Sequence, residues 1–291
     1  MKTYEQVTII GTGLIGGSLA AALKRENICK RIVGVDVNSD SLKEAEDKGI
    51  IEQGYLDIKK GVKSSDLIII AVPVGNINSI LNEIQEHAQQ GTLIFDVGSI
   101  KGDVIKQANQ LVKVRPDLYF IGGHPMAGSE KSGVKWSDPD IFKDAPFILV
   151  PLKETPEKQV ANLSDIINKI GGIVKIMGSE EHDKMVGYIS HLPHLIAFAL
   201  VNNIESCHNH QEIFELSAGS FKDATRIAVS PPDLWADICL SNRAKLEPIF
   251  EEFLTELEQV KKMLTKGDKE GLLNYFEKAG QCKSDLLQEE K

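Results

Sequence analysis

The chain holds 291 residues with a formal net charge of −9, and 42% of its side chains are hydrophobic and 26% charged. That length predicts two domains of ordinary size, and no tract is poor enough in apolar side chains to stay disordered. The acidic balance argues against nucleic acid or an anionic membrane surface as a partner, since both need a field of the opposite sign.

A β-branched run begins at Gln6, which leaves no room for a secretory leader ahead of it and makes the cytoplasm the expected location. Strand-like runs at 7–10, 32–36, 67–72, 92–97, 118–121, 147–150 and 173–177 alternate with amphipathic segments such as 76–89 and 156–170. The alternation predicts βα units on a doubly wound, mostly parallel sheet, and the near-continuous apolar strands imply burial on both faces. After Gly178 the strand signal stops. Residues 180–204 carry apolar positions at Met185, Ile189, Leu192, Ile196 and Ala199, at helical spacing.

Ser230-Pro231-Pro232-Asp233 opens another helix, and Leu246, Ile249, Phe253, Leu257, Val260 and Leu264 trace a long amphipathic one, with a bend expected at Pro248. A shorter helix, 272–287, closes the chain. The expected organisation is an α/β domain over 1–178 and an all-helical domain over 179–291. The long apolar stripe of the helical half predicts a homodimer interface, the alternative being a monomeric bundle that hides its own stripe. No apolar stretch approaches the roughly 20 residues that a membrane span needs. Cys29, Cys207, Cys239 and Cys282 are scattered without a CxxC pair, which signals neither a disulfide ladder nor a zinc ribbon.

Gly11-Thr12-Gly13-Leu14-Ile15-Gly16 lies where the first strand passes into a helix over 14–24. In that Rossmann-type pattern Gly11 permits the tight turn, Gly13 lets the backbone approach a pyrophosphate, and Gly16 allows helix and strand to pack closely. The first turn of the helix, at Leu14 and Ile15, offers unpaired N–H groups to the phosphates. Asp36 ends the second strand twenty residues past Gly16. Its carboxylate suits ribose hydroxyls and repels a 2′-phosphate, so the expected cofactor is NAD rather than NADP; a strand-end turn residue would look the same. Val72-Pro73 and the stretch 97–99 close two further strands on the same carboxyl edge.

Three more segments carry polar residues that a core would not want: 122–130 (GGHPMAGSE), 190–194 (SHLPH) and 219–226 (GSFKDATR). Behind the glycine-rich loop and its acid, this combination resembles the prephenate dehydrogenase family, from about residue 6 to beyond residue 240. The family oxidises prephenate, a cyclohexadienol with a C4 hydroxyl, a ring carboxylate and a pyruvyl side chain, and also includes arogenate-using and dual-substrate members.

The resemblance implies roles for particular residues. His124 matches the catalytic histidine that hydrogen-bonds the C4 hydroxyl, and an imidazole with an ordinary pKa near 6.5 suits that proton; the competing reading is a histidine that only pins its loop. Ser99 matches the serine beside that histidine and the nicotinamide, or it is an N-cap for the helix that follows. Arg226 matches the arginine that grips a substrate carboxylate with its planar fork, against a surface ion pair with Asp223. His191 and His194 share a helix face in the segment that lines the family's substrate pocket. His194 is expected to touch the side-chain carboxylate, and His191 is balanced between that pocket and a hydrogen-bonded core position. Glu130 matches an acid that closes the active-site loop, or is a solvated loop acid. His87, His182, His208 and His210 read as surface residues, and no third ligand accompanies the histidine pair, so no metal is expected.

Neither a chorismate mutase segment nor a regulatory ACT domain is expected, and any feedback by tyrosine would act at the active site itself. An arogenate dehydrogenase is the nearest alternative; members of that type tend to lack the second histidine of the 190–194 segment and often prefer NADP, so His194 and Asp36 favour prephenate. A β-hydroxyacid or imine reductase shares the plan but draws its proton from a helical-domain lysine. A non-catalytic NAD-binding protein would not need His124, Ser99 and Arg226 together.

Overall fold

The computed structural model describes residues 3–129 and 131–289. Eight strands form one sheet: β1 (Tyr4–Ile10), β2 (Cys29–Val35), β3 (Gln53–Tyr55), β4 (Leu67–Ile70), β5 (Leu93–Asp96), β6 (Tyr119–Pro125), β7 (Pro146–Pro151) and β8 (Ile173–Ile176). Their spatial order is β3-β2-β1-β4-β5-β6-β7-β8. Every neighbouring pair is parallel except β6 and β7, whose antiparallel register sets His124 opposite Ile148. Seven of the strands answer to the predicted runs. The eighth, β3, is three half-buried residues held by parallel pairing to β2, too short for its own periodicity to announce it.

Six helices cover the sheet: α1 (Leu14–Arg25), α2 (Ser39–Asp47), α3 (Ile58–Val62), α4 (Val74–His87), α5 (Gly102–Val114) and α6 (Glu157–Lys169). The strand pleat sorts their cores. Val7, Ile9, Leu67, Ile69, Leu93 and Phe95 pack with Leu19 and Leu23 of α1 and Leu163 and Ile167 of α6. The alternate residues Ile10, Ile68, Ile70 and Ile94 pack on the other face with Ile77 and Ile84 of α4 and Val104 and Leu111 of α5. The order reverses between β1 and β4, and that switch point is where open α/β sheets hold ligands beyond their carboxyl ends.

Beyond Gly178 the described residues form helices and no strand. α7 (Ser179–Val186) runs through a π turn (Gly187–His191) into α8 (Leu192–Glu205), and α9 (His210–Glu215), α10 (Gly219–Thr225), a 3-10 turn (Arg226–Val229) and α11 (Pro232–Ser241) follow. The continuous helix Ser179–Glu205 is long and apolar enough, by length and composition, to cross a membrane. This corrects the sequence expectation, which was misled because Glu180, Glu181, Asp183 and Lys184 cluster in its first two turns and leave the rest almost free of charge. The same helix buries His182 and His191.

By compactness the chain divides into two units, Met1–Arg243 and Ala244–Lys291, so the change from mixed to wholly helical chain at Gly178 falls inside the first. The second unit consists of most of α12 (Arg243–Lys266), with Pro248 in its second turn, and all of α13 (Lys269–Glu289). Between them Gly267 takes φ +66° and its N–H donates to the Leu264 carbonyl, a left-handed stop of the kind that glycine supplies. Leu257, Leu264, Leu273 and Phe276 of this hairpin are exposed in the single chain.

Candidate active site

Among the described residues, two cavities open at the carboxyl edge of the sheet. The first, ≈ 680 Å³, includes Gly11, Gly13, Asp36, Val72 and Pro73 among its lining residues. Gly11 sits at φ +93°, and a Cβ there would lie 2.3 Å from the Ala71 carbonyl oxygen, so only glycine turns the chain from β1 into α1 at this point. Gly16 is buried beneath the loop, where a Cβ would stand 1.9 Å from the Gly11 oxygen. A Cβ on Gly13 would meet nothing within 4 Å, so the open space lies above that residue and before the first turn of α1, where Leu14 and Ile15 are half-buried. Glycine here leaves a cradle for an anion at the positive end of a 12-residue helix.

Asp36 does two things. One carboxylate oxygen accepts from the Thr12 N–H at 2.7 Å and the Thr12 hydroxyl at 2.9 Å, and the other accepts from the Asn38 N–H at 3.0 Å. It therefore braces the loop and still presents its rim to the cavity. Asp57 and Glu83 line the same cavity, and among the described residues lining it there is no lysine or arginine. These features fit a dinucleotide whose ribose carries free hydroxyls.

The second cavity, also ≈ 680 Å³, brings together Ser99, His124, His191, His194 and Arg226, with Trp235 and Ile238 of α11 on one wall. Residues from four separate stretches of sequence thus face one volume. Ser99 follows β5; it is not the cap of α5, whose N-cap position is Lys101 and has no side-chain cap. His124 is the penultimate residue of β6. Arg226 opens the 3-10 turn after α10, close enough to His194 for its charge to disfavour protonation there. Glu130 lies outside the described residues.

The π turn gives the histidine pair different environments, and such turns recur at functional sites. His191 is 1% exposed, and Asn242 donates to its Nδ1 at 2.9 Å and to the Asp183 carbonyl at 2.8 Å. With its acceptor nitrogen so occupied, neutral His191 carries its proton on Nε2. Burial pulls its pKa down to about 4. His194 donates from Nδ1 to the Ser190 carbonyl at 2.9 Å and stacks on Trp235 with ring centroids 3.5 Å apart. Burial lowers its pKa, ahead of a raising contribution from the Ser190 hydrogen bond.

Sequence reasoning passed over the groups behind His124. His182, read as a surface residue, is 0% exposed; its Nε2 lies 2.8 Å from His124 Nδ1 and its Nδ1 lies 2.7 Å from Asp183 Oδ1. The same carboxylate accepts the N–H groups of Lys101 at 2.8 Å and Gly102 at 2.7 Å, where α5 begins. Burial would raise the Asp183 carboxyl, but the His182 and amide hydrogen bonds outweigh it and hold the group below the usual carboxylate range. Beneath them Lys101 and Asp96 form a fully buried ion pair, in which burial lowers the ammonium against the raising pull of Asp96. His124 itself is held well below the ordinary imidazole value, first by burial and then by the neighbouring His182, Lys101 and His191. The one sequence signal was an adjacent His-Asp pair at the start of an apolar helix, which charge patterning alone assigns to solvent.

A switch-point sheet with a glycine loop, a ribose acid and an adjoining cavity built around a neutral imidazole defines a nucleotide-dependent oxidoreductase. Comparison narrows the class. The family described as "Prephenate dehydrogenase, nucleotide-binding domain" matches residues 19–176, and "Prephenate dehydrogenase, dimerization domain" matches 178–278. The prephenate dehydrogenase of Bacillus subtilis is 35% identical over 284 residues, 97% of this chain and 76% of that protein. The cyclohexadienyl dehydrogenase of Zymomonas mobilis is 32% identical over 98% of this chain and 97% of its own. The solved structure of prephenate dehydrogenase from A. aeolicus with hydroxyphenyl propionate and NAD+ superposes with a TM-score of 0.91 at 32% identity, covering 98% of this chain and 99% of that one. The chain belongs to the prephenate dehydrogenase family.

Proposed function

We infer that the chain is an NAD-dependent prephenate dehydrogenase, converting prephenate to 4-hydroxyphenylpyruvate and CO2 in tyrosine biosynthesis. The observation that carries this reading is the cavity in which His124, Ser99 and Arg226 converge on the sheet edge that also bears the dinucleotide loop. Gly11, Gly13 and Asp36 would hold NAD, which would supply the hydride acceptor for C4 of the substrate. His124, kept neutral by burial, accepts the C4 hydroxyl proton as general base, and Ser99 hydrogen-bonds the same oxygen. As the C4 carbonyl develops, the ring carboxylate departs as CO2 and the ring becomes aromatic. Arg226 pairs with a substrate carboxylate, His191 and His194 line the side-chain end, and Glu130 is assigned to loop closure on its sequence match alone.

Residues 1–178 form the cofactor domain and 179–291 a helical domain through which two copies associate, as the exposed Ile189, Leu257 and Phe276 favour; the location is cytoplasmic. Purified protein with NAD is expected to produce NADH from prephenate faster than from arogenate, and His124→Asn to abolish most of that rate. Faster turnover of arogenate would reassign the substrate, and an unimpaired His124→Asn would remove the base from the scheme.

A further inference from the structure

The contacts behind His124 form a directed series. Asp183, held ionised, can only accept hydrogen bonds, so the Nδ1 of His182 at 2.7 Å must carry a proton. A His182 that donates from Nδ1 and carries a single ring proton then offers a lone pair at Nε2. Only one arrangement satisfies the 2.8 Å contact to His124: the proton of His124 sits on Nδ1 and is donated to His182. The edge-on packing of the two rings, with centroids 5.1 Å apart, holds this geometry. The carboxylate is itself immobilised by the Lys101 and Gly102 amides, and Asn242 anchors the backbone carbonyl of the same residue.

We propose that His182 and Asp183 are positioning residues that fix His124 as its Nδ1–H tautomer, so that the Nε2 lone pair faces the substrate cavity. This rests on reading His124 as the base that takes the C4 hydroxyl proton. An imidazole of the opposite tautomer would present an N–H to that hydroxyl and could not accept its proton. When the O–H bond of the substrate breaks and the Nε2–H bond of His124 forms, the resulting cation donates through Nδ1 into a ring already aligned on a carboxylate, as orienting second partners do for catalytic histidines. Among the described residues, the other ionisable groups that act on His124 are Lys101, ion-paired to Asp96 from the end of β5, and His191 from the π turn; neither accepts from its Nδ1.

The experiment is nitrogen-15 histidine spectroscopy of the full chain at neutral pH, combined with kinetics of His182→Leu and His182→Gln. Two-bond proton–nitrogen correlations are expected to show His124 protonated on Nδ1 in the parent and as a tautomer mixture in the leucine variant. His182→Leu is expected to lose kcat by on the order of 10²-fold with substrate KM little changed and the acid limb of kcat/KM displaced. Glutamine, which can accept from His124 and donate to Asp183, is expected to recover about 10-fold of that loss. A parent His124 protonated on Nε2 overturns the proposal, and so does a folded leucine variant with parental rate and pH profile. Should leucine unfold the protein, the parent spectrum and the glutamine variant decide. A parent with the expected tautomer that oxidises neither prephenate nor arogenate would refute the substrate reading and leave the tautomer assignment standing.

Discussion

Gly13 and Gly16 sit three residues apart in the same loop, yet the structure demands opposite outcomes from adding one methyl group to each. At Gly13 the backbone is extended, with φ −73° and ψ −159°, and a Cβ would touch nothing within 4 Å. Alanine there lowers the entropy of the unfolded chain, a gain of about 0.4–1 kcal/mol, and is a poorer N-cap than glycine by about the same amount. The two offset, so Gly13→Ala is expected to melt within about 3 °C of the parent. The methyl group nevertheless occupies the space in which a pyrophosphate would meet the amides of α1. Displacing one charge-assisted hydrogen bond costs about 1.5–3 kcal/mol, which is roughly 10- to 150-fold in the dissociation constant for NAD. At Gly16 the methyl would stand 1.9 Å from the Gly11 oxygen, an overpacking worth about 1–3 kcal/mol or more, so Gly16→Ala is expected to melt lower before any ligand is added. Calorimetric titration with NAD and thermal melts on both variants separate the effects. A Gly13→Ala protein that binds NAD within about twofold of the parent would refute the placement of the pyrophosphate over that residue.

The substrate end and the titrating groups give further expectations. Arg226→Ala should raise the KM for the substrate by roughly 10- to 150-fold, the worth of one charge-assisted contact, with a smaller effect on kcat; Arg226→Lys should recover only part, because an ammonium lacks the planar fork. Since burial holds His124 below its ordinary value, the acid limb of kcat/KM should lie below pH 6.5 rather than at it; a limb at or above 6.5 would contradict that environment. Stability has its own window. His191 titrates at about 4 in the folded chain and near 6.5 unfolded, so the unfolded state binds the extra proton first as pH falls. Its contribution is complete above 6.5 and is lost between 6.5 and about 4, amounting to about 3 kcal/mol. Denaturant melts across that range should show a shallower decline in His191→Gln.

The residues that sequence made legible are those whose role depends on local pattern. Gly11 and Gly16 are written by the turn they permit, Asp36 by its place at the end of a strand, and the two faces of the sheet by alternation in runs such as Leu67–Ile70, where Leu67 and Ile69 point one way and Ile68 and Ile70 the other. What periodicity cannot carry is burial created by a distant partner. The helix that opens with Glu180 and Glu181 reads as solvated in its first turn, and His182 was placed there with them; it is buried because the start of α5, 82 residues earlier, brings the amide of Lys101 onto Asp183. Lys101 is likewise an ordinary helix-start cation in one dimension and a fully buried partner of Asp96 in three. The membrane-length run Ser179–Glu205 is disguised for a related reason, since Glu180, Glu181, Asp183 and Lys184 crowd its first two turns. In each case an opposite judgement follows from the same principle: a charged or polar side chain is surface by default until a second element supplies the hydrogen bonds that let it be buried. Around His124 those second elements are α5, α7 and the end of β5, and the polar groups they bury are the ones that decide which nitrogen of the imidazole meets the substrate.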